Sequence, residues 1–147
     1  MKALMPLVAL VALGACMDSG PSVPPSGTAV IEVASGGAFS GVVRTSIYAN
    51  DVLIVEQTDM DGKHKRSVVQ GDEGVYQAAL AVVLNKGPQV AAQVSRKTPG
   101  FDCQDYGSDS ITVSPPIDGF SVVSANCPER PLLDLQTQIL NTLPAAP

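Results

Sequence analysis

Hydrophobic and polar positions fall into three patterns along the chain. Ala3 to Leu13 is an almost unbroken apolar run, interrupted only by Pro6. From residue 28 a period of two takes over. Thr28–Val33, Val42–Tyr48, Val52–Thr58 and Lys65–Gln70 are short, β-branched and alternating, and each predicts a strand. Ala49-Asn50-Asp51 and Asp59-Met60-Asp61-Gly62 separate the last three, and the Asp-Gly step suits a type I′ hairpin turn. Such a succession predicts an antiparallel meander with one packed face and one polar face.

The period then changes to that of a helix. Between Asp72 and Lys86, Tyr76, Leu80, Val83 and Leu84 fall on one face. Asp72 is placed as N-cap, Glu73 suits the first turn, Gly87 suits the residue past the end, and Pro88 should prevent continuation. Val90, Ala92 and Val94 alternate in Gln89–Arg96, which predicts a fifth strand. Lys97–Gly107 reads as an irregular segment. Asp109–Ser114 and Gly119–Ser124 flank Pro115-Pro116-Ile117-Asp118 and predict a second hairpin. Pro131 then opens a terminal helix carrying Leu132, Leu135, Ile139 and Leu143, which Pro144 ends. The expected fold class is α+β, an antiparallel β-sheet (meander plus hairpin) packed by two helices and held by one disulfide.

The first sixteen residues carry a motif as well as a pattern. Lys2 precedes the apolar run, and Leu13-Gly14-Ala15-Cys16 closes it, the layout of a secretory signal with small residues at the cut. This ending resembles the lipobox of bacterial lipoproteins. The resemblance implies that Cys16 is acylated and becomes the new N-terminus, anchoring the chain to a lipid bilayer. A membrane-spanning helix needs about 20 apolar residues, and this run is shorter. Met17 stands where an Asp would mark inner-membrane retention, so the family rule points to the outer membrane with the domain facing the periplasm. The organisation expected is a signal peptide at 1–15, a lipidated N-terminus and Pro/Gly-rich linker at 16–27, and one domain at 28–147.

Composition sharpens this picture in two places. Cleavage before Cys16 would leave 132 of the 147 residues, with 8 basic against 14 acidic once Lys2 is gone. An acidic chain without a basic, aromatic-studded stripe argues against nucleic acid as a partner. Assigning Cys16 to lipid leaves Cys103 and Cys127, an even pair in an oxidising compartment, which predicts a disulfide. Such a bridge stabilises by about 3 to 4 kcal/mol in the chain-entropy model. A hairpin centred on Ile117 sets Cys127 opposite Gly107, so the segment from Cys103 to Gly107 must fold back for the bridge to close.

No catalytic or cofactor-binding set is predicted. His64 is the only histidine and stands beside a turn among Lys63, Lys65 and Arg66, without a nucleophile elbow or a Ser-x-x-Lys motif anywhere. Setting Gly62 at the sixth place of a calcium loop leaves Val68 where the bidentate Glu belongs, so that motif fails. Asp102, Asp105 and Asp109 match no fixed ligand spacing and read as a solvated acidic loop. Ser35-Gly36-Gly37-Ala38-Phe39-Ser40-Gly41 lacks the Lys-Ser/Thr of a phosphate loop. Phe39 between glycines either tucks into the core or projects as a binding anchor.

The order of strand, Ser35–Gly41 segment, meander, helix, acidic loop, hairpin and Leu-rich helix resembles emfourin-like proteins, small bacterial inhibitors of thermolysin-type metallopeptidases. The likeness covers about residues 28–143. It implies that the loop bearing Gly37, Phe39 and Gly41 contacts a peptidase, although Ala38 is an insertion relative to the motif and the Cys103/Cys127 pair is an addition. The expected function is therefore a non-catalytic, protein-binding envelope lipoprotein, presenting Ser35–Gly41 or Thr98–Ser108 to a metallopeptidase or to an envelope protein as an assembly accessory.

Overall fold

A computed structural model describes residues 20–37, 39–95, 103 and 107–144. The expectations placed on the leader, on Cys16 and on Asp102 and Asp105 lie outside the described residues, as does most of Thr98–Ser108. Six antiparallel strands form one sheet: β1 (Val30–Gly37), β2 (Gly41–Tyr48), β3 (Val52–Thr58), β4 (His64–Gln70), β5 (Ser108–Ile117) and β6 (Phe120–Ala125). Their spatial order is β4-β3-β2-β1-β5-β6. Two helices, α1 (Val75–Ser95) and α2 (Arg130–Leu140), complete the α+β domain.

Strand periodicity decides which face is packed. Ile31 and Val33 on β1 pair with Ile47 and Thr45 on β2 and with Val113 and Ile111 on β5. All six are buried, on the face that α1 covers with Val75, Tyr76, Ala79 and Val83 and that α2 covers with Leu132, Leu135 and Ile139. Burial raises the pKa of the Tyr76 phenol, because the charged form would lose its water. The opposite face carries Glu32, Ala34, Arg44, Glu56, Arg66 and Thr112, which are partly or fully exposed, and also Ser46, Val52 and Ile54, which are buried.

Helix α1 corrects the sequence reading most. Gly87 and Pro88 do not end it, and Gln89–Arg96 supplies no fifth strand: the helix runs on to Ser95. Val90 and Val94 are two apart from Ala92, but they are also four apart from each other, and Val83, Gly87 and Val90 are buried along one helical face. An interior proline costs a helix about 3 kcal/mol. Continued burial of this face outweighs it. Gly87 is there because the helix lies on the Phe120 ring, whose Cε2 would sit 3.1 Å from an added Cβ.

The start of α1 differs too. Asp72 lends only its carbonyl, to the Val75 N–H at 3.2 Å, and no acidic residue stands in the first turn. The cap comes from Asp51, in the β2–β3 turn. Its carboxylate accepts hydrogen bonds from the N–H of Gly74 at 2.9 Å and of Tyr76 at 2.8 Å. Asp51 holds φ at 60°, a left-handed conformation that Asp tolerates better than most residues. A cap from 25 residues away in sequence leaves no local signature.

The turns also exchange roles. Asp59–Gly62 forms a type I turn followed by left-handed Gly62, since Gly62 N–H donates to Asp59 O and Asp59 N–H to Lys63 O. The paired positive φ values of a type I′ turn occur instead at Asp118 and Gly119, 48° and 79°. Pro115, Pro116 and Ile117 belong to β5, and a register shift between Thr112 and Ile117 absorbs the difference. Asp109 pairs with Ala125, the register that a hairpin centred on Ile117 gives. Cys103 and Cys127 form the expected disulfide, with Cα atoms 5.3 Å apart. The linker is not wholly free: Pro24 is buried, and Thr28 Oγ1 donates to Pro25 O at 2.8 Å. Among the described residues no helix is long and apolar enough to cross a membrane.

Candidate partner-binding site

The Ser35–Gly41 segment is mostly strand. Gly36 and Gly37 end β1, Gly41 opens β2, and Gly37 pairs with Gly41 across a short turn. Gly41 is required by both conformation and space. Its φ is 71°, and a Cβ there would fall 2.2 Å from the carbonyl oxygen of Thr58 and 3.0 Å from Cα of Asp59. The β1–β2 turn is thereby pressed against the entry to the β3–β4 turn. Phe39 projects from this brace with 70% of its surface exposed, so of its two readings it is the core one that fails.

Below this turn, on the face away from the helices, lies an open trough of about 410 Å³. Ala34, Gly36 and Ser110 form its small-residue floor, and Val42, Glu32 and Arg44 rise beside them. Gly107, at φ 84°, closes one end. Its backbone comes so near β1 that a Cβ would overlap the Gly36 carbonyl oxygen. From the helix side, the buried Gln136 amide donates to Ala34 O at 3.0 Å and Ser110 O at 3.2 Å, holding β1 and β5 together beneath the floor. A lone Gln within the apolar stripe of α2 was the only sequence sign of this clamp.

Charges cross the same face diagonally. Arg44 Nε lies 3.2 Å from Glu32 Oε1, and Arg66 Nε lies 3.4 Å from Glu56 Oε1. All four side chains are about a third to a half exposed, so these pairs contribute little to stability. His64 is the first residue of β4, not a turn residue. Its Nδ1 is 3.2 Å from Thr58 Oγ1 and its Nε2 is 3.9 Å from Glu56 Oε1. Sequence spacing missed this hydroxyl–imidazole–carboxylate grouping. The carboxylate is beyond hydrogen-bond reach, and the group stands on an open sheet face outside the trough, which is poor geometry for nucleophile activation.

Among the described residues no three His, Cys, Asp or Glu side chains gather as a metal site. Comparison with known proteins finds no matching family model, no matching curated protein and no matching solved structure. The site must be argued from its geometry: an exposed aromatic on a braced turn, above a trough with a small-residue floor and a charged wall.

Proposed function

We propose that this chain is a lipid-anchored envelope protein, held at the outer membrane through Cys16, whose domain binds a protein partner in the periplasm and does not catalyse. The observation that carries the binding reading is the exposure of Phe39, at 70%, on a turn whose position Gly41 fixes against Thr58. Large apolar side chains on a rigid support lose little entropy on docking and are typical interface anchors. A partner seated over Phe39 would also meet the trough, where small residues admit close approach and Arg44 and Glu32 offer charge to polar groups. The partner class we infer is a thermolysin-type metallopeptidase, with this chain its inhibitor.

The test is inhibition of a thermolysin-type peptidase by the purified full chain, beside a Phe39→Ala variant. Inhibition by the unaltered chain, weakened by about tenfold or more in the variant, is the result expected of an anchor residue. No inhibition by either protein would sink the inhibitor reading. Equal inhibition by both would retire Phe39 as its anchor.

A further inference from the structure

Among the described residues, strand β4 has a neighbour on one side only. Its pairing with β3 runs without a bulge from Val52↔Gln70 to Thr58↔His64, so the free edge is regular. The flanking hydrogen bonds reveal which main-chain groups point outward. Asp59 N–H donates to Lys63 O at 3.0 Å, and Gly71 N–H donates to Asp51 O at 2.8 Å. Bonded and non-bonded pairs alternate in an antiparallel ladder. The odd-numbered residues of β4 are therefore bonded to β3, and His64, Arg66 and Val68 turn their N–H and C=O groups away from the sheet. Every residue of β4 but Val68 is exposed.

The charge of this edge is unlike that of the chain. A protein of formal charge -5 places Lys63, His64, Lys65 and Arg66 in succession here. Lys65 lies on the helix-side face with Val69, opposite Gln57, while His64 and Arg66 lie on the outer face and both approach Glu56. Asp59 and Asp61 stand in the turn beside Lys63, but β4 itself, His64–Gln70, carries Lys65 and Arg66 and no acidic residue, with Glu56 on β3 the carboxylate paired to its outer face. Basic side chains on an edge strand commonly keep neutral or basic strands away. They do not repel an acidic one.

We propose that β4 is a docking edge for an extended acidic segment of another protein, which adds to the sheet as a seventh strand. Its main chain pairs with His64, Arg66 and Val68, in the manner of strand addition. Its carboxylates, alternating to the outer face, meet His64 and Arg66. Its alternate apolar side chains lie against Val55 and Val69, which are 37% and 46% exposed on the helix-side face. This site is separate from the Phe39 turn and does not depend on it.

A short peptide alternating Glu and Val, titrated into the full chain, tests the proposal by amide hydrogen exchange and by affinity. Expected are slowed exchange at His64, Arg66 and Val68, weaker binding as salt rises, and unchanged binding by Phe39→Ala. Val68→Pro removes one outward N–H without touching a bond to β3, and it should weaken binding by about tenfold. Arg66→Glu, which reverses the charge on the face that carries the peptide's carboxylates, should weaken it at least as much. Equal binding of a Lys–Val peptide would overturn the proposal. So would displacement of the peptide by a DNA oligonucleotide or phosphatidylglycerol vesicles without protection of those three amides. Self-association of the chain through the same amides would replace the acidic partner with a second copy. The exchange pattern of the unaltered chain decides the matter even where Val68→Pro fails to fold.

Discussion

At one end of the sheet, β1, β5 and β6 lie beneath two helices; at the other, the upper part of β3 and all of β4 project past them. The strands at the two ends differ little in propensity. Ile111 and Val113 on β5 are fully or nearly fully buried, whereas Val55 on β3 and Val69 on β4 are 37% and 46% exposed. Both pairs obey the same alternation on the same face. What separates them is whether α1 and α2 reach that far. The covered half draws its stability from apolar burial, and the projecting half rests on its hydrogen-bond ladder to β2 and on half-exposed ion pairs worth little each.

Truncation should show this difference most strongly. Leu135→Ala empties a fully enclosed site under α2 and should cost about 2 to 5 kcal/mol of unfolding free energy, while Val55→Ala should cost under about 1 kcal/mol. Urea denaturation of both variants measures the gap, and similar losses would mean that the projecting half is packed by something else. Next comes the disulfide, which ties the segment before β5 to the end of β6. Replacing both Cys103 and Cys127 by Ser should lower stability by about 3 to 4 kcal/mol, read as a fall in the denaturation midpoint. Hydrogen exchange on that variant should show β5 and β6 loosening more than β3 and β4.

The smallest of the three effects concerns the link between the halves. Asp51→Ala removes two hydrogen bonds from the start of α1 and leaves a non-glycine residue in a left-handed turn. A loss of about 1 to 2 kcal/mol is expected. Asp51→Asn, which retains an acceptor oxygen and tolerates the same φ, should recover part of it. If Asp51→Ala unfolds no more readily than the unaltered chain, the remote cap contributes nothing and the two halves are coupled only through β2.

The candidate site was partly legible. The glycines and Phe39 of residues 35–41 mark a turn with a large apolar side chain, but sequence left open whether that side chain is inside or outside. The contact of Gly41 with Thr58, the trough beneath, and the clamp of Gln136 on two sheet carbonyls join residues from distant segments, and no local spacing encodes them. The outward amides of β4 were equally hidden, because an edge strand is defined by the neighbour it lacks.

The sequence by itself determined all six strands to within a few residues, the α2 stripe, the α1 stripe except Leu84, which is exposed, and the pairing of Cys103 with Cys127. The elements follow from local alternation, which needs no knowledge of the rest of the chain, and the cysteine pairing follows once Cys16 is set aside as the expected lipidation site. The tertiary structure alone decided that α1 continues through Gly87 and Pro88, that Asp51 caps it, and that Pro115 to Ile117 belong to β5. In the first two a local signal competed with a contact made far away in sequence: the Phe120 ring lies against Gly87, and the Asp51 carboxylate reaches the start of α1 from the β2–β3 turn. Burial and hydrogen bonding across the fold exceed the fraction of a kilocalorie to few kilocalories that a turn or breaker residue commands.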